Sequence, residues 1–171
     1  MENECTVDWP AAVCTIKYCD IAAPGIPVTS VHCFCFKQER LLVIQHETRG
    51  IDIPGGHIEE GENPLEALRR ELNEEAAVEA TNFIEAGSIL VKQIFQRAQS
   101  RYPDTAQILL YICTLLKEQP FNIEYETRGR LYIAPEDLPG LHKGWNPVLS
   151  NALQAAQKKY SQLSNQQWKS Q

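Results

Sequence analysis

The residues best suited to chemistry are three glutamates close together in the chain, Glu71, Glu74 and Glu75. On a helix they fall within an arc of about 100°. Leu65, Leu68 and Leu72 form an apolar stripe centred roughly 90–100° around the same helix, so the carboxylates meet at the edge of the buried face. Like charges at this spacing repel, and they crowd the negative end of the helix dipole. A hard divalent cation relieves that conflict: Mg²⁺ takes a few carboxylate oxygens and completes its octahedron with water and phosphate. Taken alone, the helix fits a solvated glutamate-rich face balanced by Arg69, Arg70 and Asn73 better than it fits a site. The loop ahead of it shifts the balance. Gly55-Gly56 lets backbone come close to a ligand, Pro54 stiffens the approach, and Gly61 permits the turn back. A rigid glycine loop feeding a tri-carboxylate helix points to a metal–phosphate site.

Those residues sit in a longer pattern. Over Ile53–Val78 the chain resembles the signature of the Nudix (MutT-like) hydrolases: Gly, five residues, Glu, seven residues, Arg-Glu-aliphatic, one residue, Glu-Glu, one residue, Gly-aliphatic. Gly56, Glu62, Arg70, Glu71, Leu72, Glu74, Glu75 and Val78 stand at those positions with the family's spacing. Ala77 departs from it, standing where the family has a glycine that closes the helix in a left-handed conformation. A Cβ there costs about 1 kcal/mol or shifts the cap. This reads either as a tolerated substitution or as a retuned site.

Carried over residue by residue, the resemblance implies that Glu71, Glu74 and Glu75 ligate Mg²⁺ (or Mn²⁺), with the Gly55 carbonyl adding an oxygen. Arg70 orients a box glutamate, and Gly56 and Glu62 support the site. The implied reaction is attack of water on the pyrophosphate of a nucleoside diphosphate linked to another group, a nucleoside triphosphate among the candidates. The general base is Glu71 or a later carboxylate among Glu118, Glu124 and Glu126, of which Glu126 is preferred for the catalytic set. Two other readings stay open: a nucleotide-sensing module that does not cleave, and hydrolysis at an RNA 5′ end.

Other residues carry weaker signals. Arg49, Arg97 and Arg101 are candidates for phosphate or ribose, though surface arginines commonly bind neither. His57 follows the glycines. Tyr102-Pro103-Asp104 resembles a feature of the triphosphatases in the family. Asn146-Pro147 faintly resembles a base-reading position but reads more simply as a helix cap with Pro at its first position. Trp145 is a candidate for stacking on a base. Of these, Arg49, Arg101 and Asn146 are the substrate-binding candidates.

The elements that must position these groups follow from patterning. Strands are expected at Val28–Phe36, Leu41–His46, Ile84–Ile94, Ala106–Leu116 and Arg130–Ala134. Apolar residues on both faces of the first place it inside the sheet. Asn63, Pro64 and Glu66 make a capping box for the glutamate helix, and a closing helix is expected from Pro147 to Leu163. The expectation is a single α/β domain over 28–163, a Nudix-type α/β/α sandwich with a mixed sheet between helices. Residues 1–27 read as a weakly patterned extension and 164–171 as a polar tail.

With 171 residues and a net charge of −6, the chain lacks the basic face that duplex nucleic acid requires. No apolar stretch approaches the roughly 20 residues that span a bilayer, and acidic Met1–Asp8 does not open like an export signal. The six cysteines make no Cys-x-x-Cys pair and read as reduced thiols of a cytoplasmic protein. A small-molecule nucleotide is the expected partner, and a homodimer is left open.

Overall fold

The structure is a computed structural model that describes residues 3–97, 103–121 and 127–168. Its elements run β1 (Glu4–Asp8), β2 (Ala12–Cys19), β3 (Val28–Lys37), β4 (Arg40–His46), β5 (Gly50–Asp52), β6 (Gly55–His57), α1 (Pro64–Ala76), β7 (Val78–Gln96), β8 (Thr105–Glu118) and β9 (Thr127–Ile133). A 3₁₀ turn (Pro135–Asp137), the short α2 (Leu138–Leu141) and the long α3 (Pro147–Trp168) close the chain.

The strands form one mixed sheet in the order β1-β2-β7-β8-β3-β4-β5, with β6 pairing β3 and β9 pairing β4. Every pairing is antiparallel except β3 with β8. β3 lies inside the sheet, as its two apolar faces predict. Val31, Cys33 and Cys35 pack with Leu68, Leu72 and Ala76 of α1, whereas Phe34 and Phe36 pack with Val148, Ala152 and Ala156 of α3. The molecule is therefore the expected α/β/α sandwich, with one helix on each face of the sheet.

Three expectations are corrected. The first 27 residues, read as a weakly patterned extension, supply β1 and β2, which continue the sheet beyond β7. Cys14, Ile16 and Tyr18 point alternately into the core, while Lys17 between them is exposed. The glycine loop ahead of α1, read as irregular, contains β5 and β6, too short to show periodicity. The polar tail does not stop the last helix at Leu163. Ser164 and its neighbours include no glycine or proline to break it, and α3 runs on to Trp168. Among the described residues, no helix is long and apolar enough to cross a membrane.

Candidate active site

α1 begins as its capping box predicts. Asn63 Oδ1 accepts the N–H groups of Leu65 at 3.0 Å and Glu66 at 3.1 Å, and the Asn63 N–H donates to Glu66 Oε2 at 2.8 Å. The helix ends where the family's glycine would stand. Ala77 takes the left-handed conformation itself, φ 51° and ψ 50°, and donates its N–H to Asn73 O at 3.0 Å. Arg130 of β9 supports that end by donating to the carbonyls of Ala76 and Ala77 at 2.8 Å each.

The glycine loop is set by β6, which pairs His32 with Gly55 and Val31 with Gly56. A Cβ on Gly55, at φ +153°, would lie 2.3 Å from the Val31 carbonyl oxygen. A Cβ on Gly56 would lie 2.2 Å from Glu71 Oε1. Both glycines are thus required by close approach, the second by approach to a glutamate of the motif. From the loop, the Gly55 N–H donates to Glu75 Oε2 at 2.9 Å.

Charge in the site is organised by Arg70. Its Nε and Nη2 grip both oxygens of Glu62, at 2.8 and 3.0 Å. Nη1 reaches Glu71 Oε1 at 2.9 Å and Glu74 Oε2 at 3.2 Å, and Nη2 also donates to the His57 carbonyl at 3.0 Å. This fork pulls the Glu62 carboxyl down to about 2. Glu71 moves the other way: burial raises it more than Arg70 lowers it. Glu75 is raised to about 7, chiefly by burial, with the Gly55 N–H opposing and Glu71 adding repulsion. Among the described residues, the cation paired with Glu75 is Arg49, with Nη2 at 3.6 Å. Arg49 also stands 3.9 Å from Asp52, and its backbone N–H is held by His46 Nδ1 at 3.3 Å.

Glu71, Glu75, Gly55, Gly56 and Arg49 open onto one cleft of about 960 Å³. Glu74 is not part of its lining; it is one-third exposed and rests on Arg70. Among the described residues, no three His, Cys, Asp or Glu side chains stand close enough together to hold an ion as they lie. The donor chemistry nonetheless suits a hard divalent cation: two neighbouring part-buried carboxylates, both pushed toward their neutral forms, beside a backbone that only glycine can bring so close.

Residues 27–155 match the family model described as NUDIX domain. The chain belongs to the NUDIX domain family. A curated relative, the 8-oxo-dGTP diphosphatase of Haemophilus influenzae, is 31% identical over 83 residues, covering 47% of this chain and 53% of the relative. This Nudix chain therefore spans about half the length of that relative. Among solved structures, a mutant of the Bacillus subtilis pyrophosphohydrolase BsRppH superposes with a TM-score of 0.69 at 22% identity, covering 85% of this chain and 92% of that one. A Streptococcus suis ADP-ribose pyrophosphatase gives 0.52 at 21% identity, covering 75% and 91%. At these identities the likeness is one of fold.

Of the sequence-predicted residues of this Nudix protein, the structure brings Gly55, Gly56, Glu71, Glu75, His57 and Arg49 to the cleft. Arg70, Glu62 and Glu74 lie behind them as one ion-paired group. Asn146 does not reach the cleft lining. Its Oδ1 accepts the Leu149 N–H at 3.1 Å, so it caps α3. Trp145 donates to Ser150 Oγ at 2.8 Å, and Arg97 pairs with Asp8. Glu118, one of the later-loop candidates for the base, is engaged by Lys37 and Arg130 away from the cleft. Arg101, Tyr102, Glu124 and Glu126 fall outside the described residues.

Sequence reasoning missed His32, His46, Asp52 and Arg130. His32 lines the cleft, and burial lowers its pKa, favouring the neutral ring. The available signal was a polar residue on the otherwise apolar β3 face that carries Phe34 and Phe36. Asp52 meets His142 at 3.3 Å, a pairing between distant segments that no local pattern announces.

Proposed function

We propose that this Nudix protein is a divalent-metal-dependent hydrolase that cleaves a pyrophosphate bond in a nucleotide, with a nucleoside triphosphate as the favoured substrate. The observation that carries the reading is the pairing of two part-buried, mutually repelling carboxylates, Glu71 and Glu75, with a glycine loop that leaves room for a ligand beside them. The Haemophilus relative, named for a nucleoside triphosphate, supports the substrate class. The segment 28–163 is taken to carry the reaction, with β1 and β2 extending its sheet and α3 running on to Trp168.

Glu71, Glu75 and the Gly55 carbonyl would hold Mg²⁺ or Mn²⁺, with Glu74, which rests on Arg70, as the third carboxylate ligand. Such an ion supplies charge neutralisation at the diphosphate and makes water more acidic. The chain's own groups do the rest. Arg70 fixes Glu71 and Glu74 in place through its fork, and Glu62 holds Arg70 there. Arg49, half exposed at the cleft, binds a phosphate oxygen. The proton of the attacking water passes to a carboxylate, either Glu71 or Glu126. Thr127 donates its hydroxyl to the Glu75 carbonyl at 2.7 Å, which ties the start of β9 to the glutamate helix.

The test is a screen of nucleoside triphosphates, oxidised nucleotides, nucleotide sugars, ADP-ribose and 5′-triphosphorylated RNA with Mg²⁺ or Mn²⁺, scored by phosphate or pyrophosphate release. Turnover of a free nucleotide, abolished by EDTA, is the predicted result. Saturable binding without turnover anywhere in the panel would replace hydrolysis with sensing.

A further inference from the structure

The turn between β1 and β2 reaches the same cleft as the motif glutamates. Pro10 lines it together with Gly56, Ile58 and Glu71, although Pro10 lies ahead of the segment 27–155 that matches the family. The turn is firmly held. The Trp9 N–H donates to the Ala12 carbonyl at 3.0 Å, and the Ala12 N–H donates back to Trp9 O at 3.2 Å. Arg97, just after β7, braces it, donating from Nη1 to Trp9 O at 2.7 Å and from its backbone N–H to Ala11 O at 2.9 Å. Behind the turn, Cys14, Ile16 and Tyr18 anchor β2 in the core.

The lining of the cleft is mostly polar or charged, and Pro10 and Ile58 are its apolar members apart from the glycines. Glu71, Glu75 and Arg49 suit a metal-bound diphosphate. Pro10 and Ile58 suit an apolar, flat group. An exposed proline ring at a fixed φ offers such a group a rigid face, so little conformational freedom is lost on contact. In a nucleotide, the group that needs this face is the base.

We propose that Pro10 is a specificity-determining residue, presenting its ring from the Trp9–Ala12 turn as the surface on which the nucleobase of the substrate rests. Selection of the base is then assigned to the N-terminal hairpin, and activation of the diphosphate to the glutamate helix. The proposal rests on the hydrolase reading only in taking a nucleotide as the ligand.

The experiment compares the full chain with its Pro10→Ala variant by calorimetry in excess Mg²⁺, using ADP, GDP, UDP and inorganic pyrophosphate. The variant is expected to bind at least one nucleoside diphosphate about fivefold or more weakly, while its pyrophosphate affinity stays unchanged. Equal losses for nucleotides and pyrophosphate, no loss for either, or a wild-type chain that binds no nucleotide would overturn it. Wild-type binding as described, without hydrolysis of any nucleotide, would defeat the proposed function and leave this inference standing. If Pro10→Ala does not fold, the decision passes to Trp9 fluorescence in a Trp145→Phe, Trp168→Phe protein. Its emission should shift with ADP, GDP or UDP and not with pyrophosphate; the same response to both, or none, would overturn the proposal.

Discussion

The Glu75 carboxylate accepts the backbone N–H of Gly55 at 2.9 Å, joining residues twenty positions apart. This bond locks the glycine loop to the last turn of α1, so two segments that carry the motif move as one body. On the next residue of the loop, the close approach of Gly56 to Glu71 does the same.

The two glycines should therefore fail differently when each is changed to alanine. At Gly55 the new Cβ meets backbone, the Val31 carbonyl, in a conformation that alanine resists. Gly55→Ala should lose about 3 kcal/mol in urea denaturation. At Gly56 the Cβ meets the far end of the Glu71 side chain, which can rotate away. Gly56→Ala should keep most of its stability yet lose turnover by about tenfold or more, because Glu71 is displaced.

Ala77 occupies a left-handed cap that glycine adopts without penalty. Ala77→Gly should raise stability by about 0.5–1 kcal/mol, read as a higher urea midpoint at constant slope. The same measurement decides whether the departure from the family pattern is merely tolerated: unchanged turnover in the variant makes it so.

Arg130 donates to the carbonyls of Ala76, Ala77 and Gln119 while mostly buried. Arg130→Ala leaves the carbonyls at the end of α1 without these donors. It should cost about 1–3 kcal/mol, with Arg130→Lys recovering part of the loss.

Asp52 gives the pH dependence. Burial alone would raise its pKa, but His142 at 3.3 Å, together with His32 and Arg49, outweighs it and holds the carboxyl below its ordinary value of 3.8. A folded pKa below the unfolded one adds stability that is present above the unfolded value and lost as pH falls through the folded value. Stability measured from pH 4 downward should fall less steeply in Asp52→Asn than in the wild type.

What the sequence made legible was local. The capping box at Asn63, the spacing of Glu71, Glu74 and Glu75, and the two-faced strand β3 each rest on residues a few positions apart, where helix and strand periods act directly. What stayed hidden depends on distant partners or on segments too short for periodicity. β5 and β6 have three residues each. The place of β2 in the sheet depends on pairing with β7, and Arg130 reaches α1 only after β9 pairs with β4. Asn146 shows the opposite case, in which a local signal, the helix cap, explains the residue fully. Arg70 is intermediate. Its ion pair with Glu74, four residues on, follows from helix geometry, whereas its grip on Glu62 needs the loop to fold back.

The central claim is that Glu71 and Glu75 together hold a divalent ion that supports pyrophosphate cleavage. The most direct measurement is Mg²⁺-dependent turnover of the best nucleotide from the screen, in the wild type and in Glu75→Gln, with circular dichroism to confirm that both are folded. The account predicts that EDTA silences the wild type and that Glu75→Gln loses about 100-fold or more while remaining folded. A folded Glu75→Gln protein with undiminished turnover, or wild-type turnover that persists in EDTA, would contradict it.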